Sequence, residues 1–263
     1  MKPLFLLLSL SLSPSVFADN WANATLYNVT SGTNGGGGGS TNSALFSENF
    51  EGWTNWSVPG GSPWTLTVND GWLMDWTLTS FPASEIKNES TAGLSMQGTN
   101  CLELVDMTDD YPAAFSPVFA AQSECWVYFE WRSALLGSSV LKTAALLDSN
   151  GSDVSSIQIV NSGLVDIRNG TNILNVSSVV TNNITYSLYW HYIQGTGANG
   201  YASLGITNNP VRPTSGSGFA EATAGNSTNS AVQLRLSVDG VGDQYFDKIR
   251  VYSGSTPPAD NPQ

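Results

Sequence analysis

Charge is scarce in this chain. Only 11% of its 263 residues are Asp, Glu, Lys or Arg, against roughly a quarter in an average soluble domain. Positive charge is scarcest, with 9 Lys and Arg against 21 Asp and Glu and a net charge of −12. Binders of nucleic acid neutralise phosphates with Lys and Arg, so no nucleic-acid partner is expected. Docking on anionic lipid is excluded on the same ground. Coiled coils need abundant Glu, Lys and Arg and are excluded too. The apolar fraction of 41% is ordinary, so the chain is no disordered polyelectrolyte. There is one histidine, His191. It is the only base available to a Ser-His-Asp triad, and no Gly-x-Ser-x-Gly elbow surrounds any serine. A zinc site of about four ligands has no second cluster to draw on. Beyond the first residues no apolar run approaches the roughly 20 residues of a spanning helix, and no membrane insertion is expected.

What is present begins with a leader. Met1-Lys2, the apolar run Leu4 to Leu12 and Val16-Phe17-Ala18 read as a secretory signal peptide over 1–18, cleaved after Ala18. The expected localisation is secreted, extracellular, periplasmic or cell-surface. Residues 19–43 form a polar segment with Gly35 to Gly39 in a row, read as a flexible tether. Residues 254–263 are Pro-rich and read as a tail or linker stub. The folded unit is expected over 44–253. Export permits a disulfide, and Cys101 and Cys125 both lie in strand-like segments. A cross-strand bridge is favoured over two buried free thiols.

Within 44–253 apolar residues recur with period two. Val232, Leu234, Leu236 and Val238 alternate with Gln233, Arg235 and Ser237, and Ile249 and Val251 share a face of the last strand. Cys125, Val127, Phe129 and Trp131 form one face of another strand. Asn150-Gly151, Ser162-Gly163 and Asn199-Gly200 separate the runs as hairpin turns, because tight turns need positive φ. No stretch of a dozen residues carries a helical stripe. The expected fold class is all-β, with antiparallel strands closing into two packed sheets and little or no helix.

Two motifs bracket the unit: Phe46-Ser-Glu-Asn-Phe-Glu-Gly52 at its start and Tyr245-Phe-Asp-Lys-Ile-Arg-Val251 at its end. An opening Phe-Glu-Gly and a closing Phe-Asp-x-Ile-x-Val resemble the outer strands of secreted jelly-roll domains. These are the concanavalin A-like and laminin G-like group and the jelly-roll carbohydrate-binding modules. The resemblance implies a jelly-roll β-sandwich and a polysaccharide or glycoconjugate partner. It also implies one structural calcium ion on Glu51 and Asp247. Calcium takes six to eight oxygen ligands. The alternative is that both carboxylates are exposed strand-end residues.

The candidate ligand face follows from the alternation. With Cys125, Val127, Phe129 and Trp131 inward, Trp126, Tyr128, Glu130 and Arg132 face outward, and Tyr189 and His191 do so on a later strand. Gln233 and Arg235 join them if their strand shares the sheet. Flat aromatics stack on sugar rings while charged groups bond the hydroxyls; the competing reading is ordinary cross-strand pairing. The sequence therefore predicts a non-catalytic glycan-binding domain. The alternatives are a structural or adhesive protein that self-associates, and a polysaccharide lyase. The lyase would use Tyr189 or His191 as base with Gln233 and Arg235 neutralising the substrate carboxylate. Trp53, Trp56, Trp64, Trp72 and Trp76 offer either a second stacking platform or core filling. Asp106, Asp109 and Asp110 read as a loop.

Overall fold

The computed structural model describes residues 44–262 apart from 54–56, 60–63, 68–71, 77–84, 92–93, 97, 107–111, 136–140, 160–162, 171, 223–224 and 239–241. The signal peptide, the segment 19–43, Trp56, Asp109 and Asp110 lie outside the described residues, as do the side chains of Trp64 and Trp76. The described residues form nineteen strands and no helix. One sheet has nine strands. Its order is β16 (Phe219–Ala222), β15 (Tyr201–Thr207), β13 (Tyr186–Ile193), β8 (Glu124–Leu135), β19 (Gly242–Ser253), β6 (Cys101–Asp106), β5 (Glu85–Glu89) and β2 (Ser57–Pro59). Its ninth strand, β1 (Ala44–Glu48), pairs with the second half of β19. The other sheet has eight. Its order is β12 (Asn172–Val179), β11 (Leu164–Asn169), β10 (Asp153–Ile159), β9 (Leu141–Leu147), β18 (Gln233–Ser237), β7 (Ala113–Phe115), β4 (Leu73–Trp76) and β3 (Trp64–Thr67). A ribbon of β14 (Gly195–Gly197) and β17 (Gly225–Ser227) completes the set.

The sheets pack face to face through the inward residues that the alternation selects. Val127, Phe129, Trp131, Leu188, Trp190, Leu204 and Phe246 come from the first sheet; Leu146, Ile157, Ile159, Val165, Ile167, Leu234 and Leu236 come from the second. All are nearly or fully inaccessible, and each such side chain contributes roughly 1.5–3 kcal/mol. Trp190 Nε1 donates to Ser155 Oγ across the core at 3.2 Å. Trp53 and Trp72 fill the end of this core against Phe46 and Phe50. The chain is thus an all-β sandwich, as its periodicity predicts.

The Asn150-Gly151 signal falls between β9 and β10 as expected, with positive φ at Gly151 but not at Asn150, and Ser162 of the Ser162-Gly163 signal lies outside the described residues. At Asn150-Gly151, Gly151 takes φ 75°, and Asp148 Oδ1 accepts the amides of Asn150 and Ser152. Asn199-Gly200 departs from expectation. The path from β13 to β15 detours through β14, and neither Asn199 nor Gly200 has positive φ. Gly200 is needed for another reason: a Cβ there would collide with the Gly195 and Gly225 backbones.

The expected disulfide is absent: Cys101 and Cys125 are both free and buried. The topology explains why. β19 lies between β6 and β8, so the two chains are about 9–10 Å apart across the sheet. Cys125 opposite Ser253 is also far along the strand from Cys101, whose neighbour Leu102 faces Phe246. A disulfide requires Cα atoms within about 7 Å.

Candidate functional site

Pairing of β8 with β13 sets Tyr189 opposite Tyr128 and His191 opposite Trp126. Because the intervening residues point into the core, these four side chains share the outward face of the nine-stranded sheet. They are in contact there. Trp126 stacks on His191 with ring centroids 4.2 Å apart and planes 5° from parallel. Tyr128 and Tyr189 lie 5.0 Å apart, with Tyr252 packed beside them. Tyr201 of β15 meets the His191 ring edge-on at 5.4 Å. From a connecting loop, the Arg212 guanidinium lies 5.3 Å from the Trp126 ring and 5.9 Å from that of Tyr189. Trp126, Tyr189, His191, Tyr201, Arg212 and Phe219 line an open cavity of about 140 Å³.

His191, Glu130 and Lys248 on this face have charged partners. His191 Nε2 lies 2.9 Å from Glu124 Oε1; burial holds the imidazole below its ordinary range although Glu124 pulls the other way. Burial pushes the Tyr189 phenol up. Further along β8, Glu130 is buried, accepts from Tyr128 Oη at 3.2 Å and meets Lys248 Nζ at 2.9 Å. Lys248 reaches it from a bulge in β19, where its φ of 49° turns the chain. Arg132 stands beyond, its guanidinium 5.3 Å from the Tyr245 ring. Past that lies a carboxyl cluster in which Lys87 contacts Glu85, Glu89 and Glu103.

The eight predicted ligand residues therefore divide. Trp126, Tyr128, Tyr189 and His191 converge, and Glu130 and Arg132 continue the same face. Gln233 and Arg235 do not join them, because β18 pairs with β7 and β9 in the other sheet. There Gln233 donates to the Ser116 carbonyl at 2.7 Å and Arg235 pairs with Asp153 at 3.1 Å. Alternation decides which face a residue occupies but not which sheet its strand joins. The lyase reading thus loses the two carboxylate-neutralising groups assigned to it.

The carboxylates assigned to calcium have other partners. Glu51 accepts the Thr99 amide at 2.8 Å, the Thr99 hydroxyl at 2.9 Å and the Asn100 amide at 3.0 Å. Asp247 is inaccessible and accepts the Lys248 amide at 2.7 Å. Among the described residues no group of three or more His, Cys, Asp and Glu is placed to hold a metal.

Several groups of this face escape the sequence reading, among them Glu124, Tyr201, Arg212, Phe219, Lys248 and Tyr252. Tyr201 and Tyr252 were legible, since each alternates against inward neighbours on its own strand. Arg212 was not, because the loop around it has no periodicity. The sequence reads 254–263 as a tail, yet residues 255–262 lie across the face against Trp126, Tyr128 and Tyr189.

No protein-family model matches the chain, and no curated protein matches it by sequence. Solved structures do. The endo-β-1,4-glucuronan lyase from the fungus Trichoderma reesei matches 84% of this chain and 100% of its own, at 11% identity and a TM-score of 0.56. The PL-14 alginate lyase from Aplysia kurodai matches 76% of this chain and 98% of its own, at 8% identity and a TM-score of 0.48. The globular domain of T. cruzi calreticulin matches 81% of this chain and 89% of its own, at 13% identity and a TM-score of 0.42. The glucuronan lyase likeness establishes the fold as a jelly-roll-like β-sandwich.

Proposed function

We propose that this protein is an exported, non-catalytic polysaccharide-binding domain whose ligand lies on the outward face of the nine-stranded sheet. One observation carries the reading: the open cavity walled by Trp126, Tyr189, Tyr201 and Arg212, with His191 beneath. The half-buried Trp126 and Tyr201 offer a sugar ring apolar aromatic contact, and Arg212 adds a donor that ring hydroxyls or a carboxylate accept. The resemblance of the bracketing strands to those of jelly-roll glycan binders supports the same reading. The likeness in fold to a glucuronan lyase fits a polysaccharide ligand, and it supports the lyase reading below at least as well. Trp126→Ala should weaken binding of alginate or glucuronan oligosaccharides by about two- to tenfold, as loss of a stacking aromatic does. Calorimetric titration against the unaltered protein checks this, and equal affinities would remove Trp126 from the site.

A polysaccharide lyase is the second reading, favoured by an imidazole held neutral by burial beside the Tyr189 phenol and Arg212. Two features weigh against it: Nε2 of His191 is engaged by Glu124, and Trp126 covers one face of the ring. Incubation with alginate and glucuronan should therefore produce no rise in the ultraviolet absorbance of unsaturated uronates. A rise that His191→Ala abolishes would replace the binding reading with the lyase.

A calcium ion on Glu51 and Asp247 is a separate proposal, supported only by the bracketing strands. It would have to displace the Thr99 and Asn100 donors from Glu51. If it binds, melting in calcium should exceed melting in chelator by several degrees; identical melting curves would dismiss it.

A further inference from the structure

The groups that would meet a glycan are already in contact with the chain itself. After β19 ends at Ser253, residues 255–262 turn back over the sheet face. The Ser255 carbonyl accepts the indole N–H of Trp126 at 3.1 Å. The Pro258 carbonyl accepts from the Arg212 guanidinium at 3.2 Å, and Asp260 Oδ1 accepts the Arg212 amide at 3.0 Å. The Asn261 amide donates to Tyr189 Oη at 2.8 Å. Its side-chain oxygen receives the Tyr128 hydroxyl at 3.5 Å and Lys248 Nζ at 3.3 Å. Pro258 and Pro262 are buried. Tyr128 and Tyr189 are 0% and 1% exposed as a result of this layer and their own packing.

These contacts differ from those of chain that is merely parked on a surface. Every polar group named is on a residue of the candidate face or of the loop beside it. Asn261 alone touches two phenols and an ammonium, and it does so at φ 43°, a backbone state that Asn tolerates better than most residues. Prolines at 257, 258 and 262 restrict the free segment, so less conformational entropy is lost on docking. The segment carries oxygen acceptors to donors that would otherwise bond a sugar.

We infer that residues 255–262 form an intramolecular strap that competes with glycan for this face, leaving only the cavity beside Trp126 open. The inference rests on the reading that the face binds glycan. When the strap lifts, the face from Trp126 past Tyr128 and Tyr189 to Lys248 and Glu130 is uncovered, adding Tyr128 and Lys248 to the groups a glycan can reach. An occluded site lowers apparent affinity in proportion to the fraction of molecules that are open.

The test uses three forms: the unaltered chain, a chain ending at Gly254, and a full-length chain carrying Asp260→Ala and Asn261→Gly. Glycine keeps the positive φ while deleting the amide side chain, so this variant serves even if the shortened chain folds poorly. Alginate hexasaccharide is the first probe. Both altered forms should bind it about tenfold or more tightly than the unaltered chain, and equal affinities overturn the strap. The second probe is the peptide Ser255–Gln263 added to the shortened chain. It should shift tryptophan fluorescence and displace hexasaccharide, and the doubly substituted peptide should do neither. If no form binds alginate, the peptide still decides: its binding sustains the strap although the choice of glycan fails, and its failure to bind overturns the strap.

Discussion

Glu103 carries a buried carboxyl whose proton bears on stability. It is 3% exposed. Burial, a hydrogen bond with Glu89 and the charge of Asp243 push its carboxyl up to about 8, against the pull of Lys87. The 3.0 Å contact from Lys87 Nζ is one that a neutral carboxyl also accepts. Glu89 moves the other way: burial opposes its charge, but hydrogen bonds from Thr91 and Glu103 bring it to about 2. The two shifts have opposite consequences. Raised Glu103 binds its proton more tightly in the folded state, so its contribution is complete below the unfolded value near 4.5 and is lost as pH rises through about 8. Lowered Glu89 contributes above about 4.5 and loses that contribution as pH falls toward 2. Between pH 5 and 8.5 Glu103 acts together with Asp243 and Asp166, whose carboxyls burial also raises, and these outweigh the one opposing group, His191, whose lowered imidazole gains stability as pH rises toward its unfolded value near 6.5. The urea midpoint should therefore fall over that interval. Glu103→Gln should flatten the fall and raise stability at pH 8.5 by about 1–3 kcal/mol, the range for relieving a poorly satisfied buried group. An unchanged slope in the variant would place the proton elsewhere.

At the scale of elements, β19 organises the site. Its first half pairs with β6 and its second with β1, while β8 runs along its other side. The bulge between Asp247 and Arg250 lets Lys248 cross to Glu130, so the ion pair at the centre of the face depends on one irregular strand position. The same strand separates the cysteines. Burial pushes Cys125 up to about 12 and Cys101 higher still, with Asp247 and Glu103 opposing the Cys101 thiolate. Neither thiol should react with a thiol reagent in the native protein. Two should titrate once denaturant is added without reductant, and reductant should leave the melting temperature unchanged. No reactive thiol after denaturation would restore the disulfide. What the sequence makes legible is visible at this scale. Trp126, Tyr128, Tyr189 and His191 were readable because alternation with Val127, Phe129, Leu188 and Trp190 determines their face. Gln233 and Arg235 obey the same alternation, but partnership between strands depends on long-range packing. Arg212 and Asn261 lie in segments without period, where only the folded backbone brings them to the site.

Among the described residues the main core lies between the two sheets, and the contacts closing it differ greatly in sequence separation. β9, β10 and β11 form a meander of consecutive strands. β1 pairs with β19, setting Phe46 opposite Val251 across nearly the full length of the unit. Loop-closure entropy disfavours the second kind of contact until others have shortened the effective loop. The meander should therefore be structured in the folding transition state, and the joining of first and last strands should follow it. Two core truncations separate these stages. Ile157 is inaccessible at the centre of the meander, and Phe46 packs on Trp72 with centroids 5.6 Å apart. Ile157→Ala and Phe46→Ala should each cost about 2–5 kcal/mol. In stopped-flow measurements Ile157→Ala should appear mainly as slower refolding, whereas Phe46→Ala should appear mainly as faster unfolding with refolding little changed. If Phe46→Ala slows refolding as much as Ile157→Ala does, the first and last strands meet early. The order of assembly would then be set by the bracketing strands instead of by the meander.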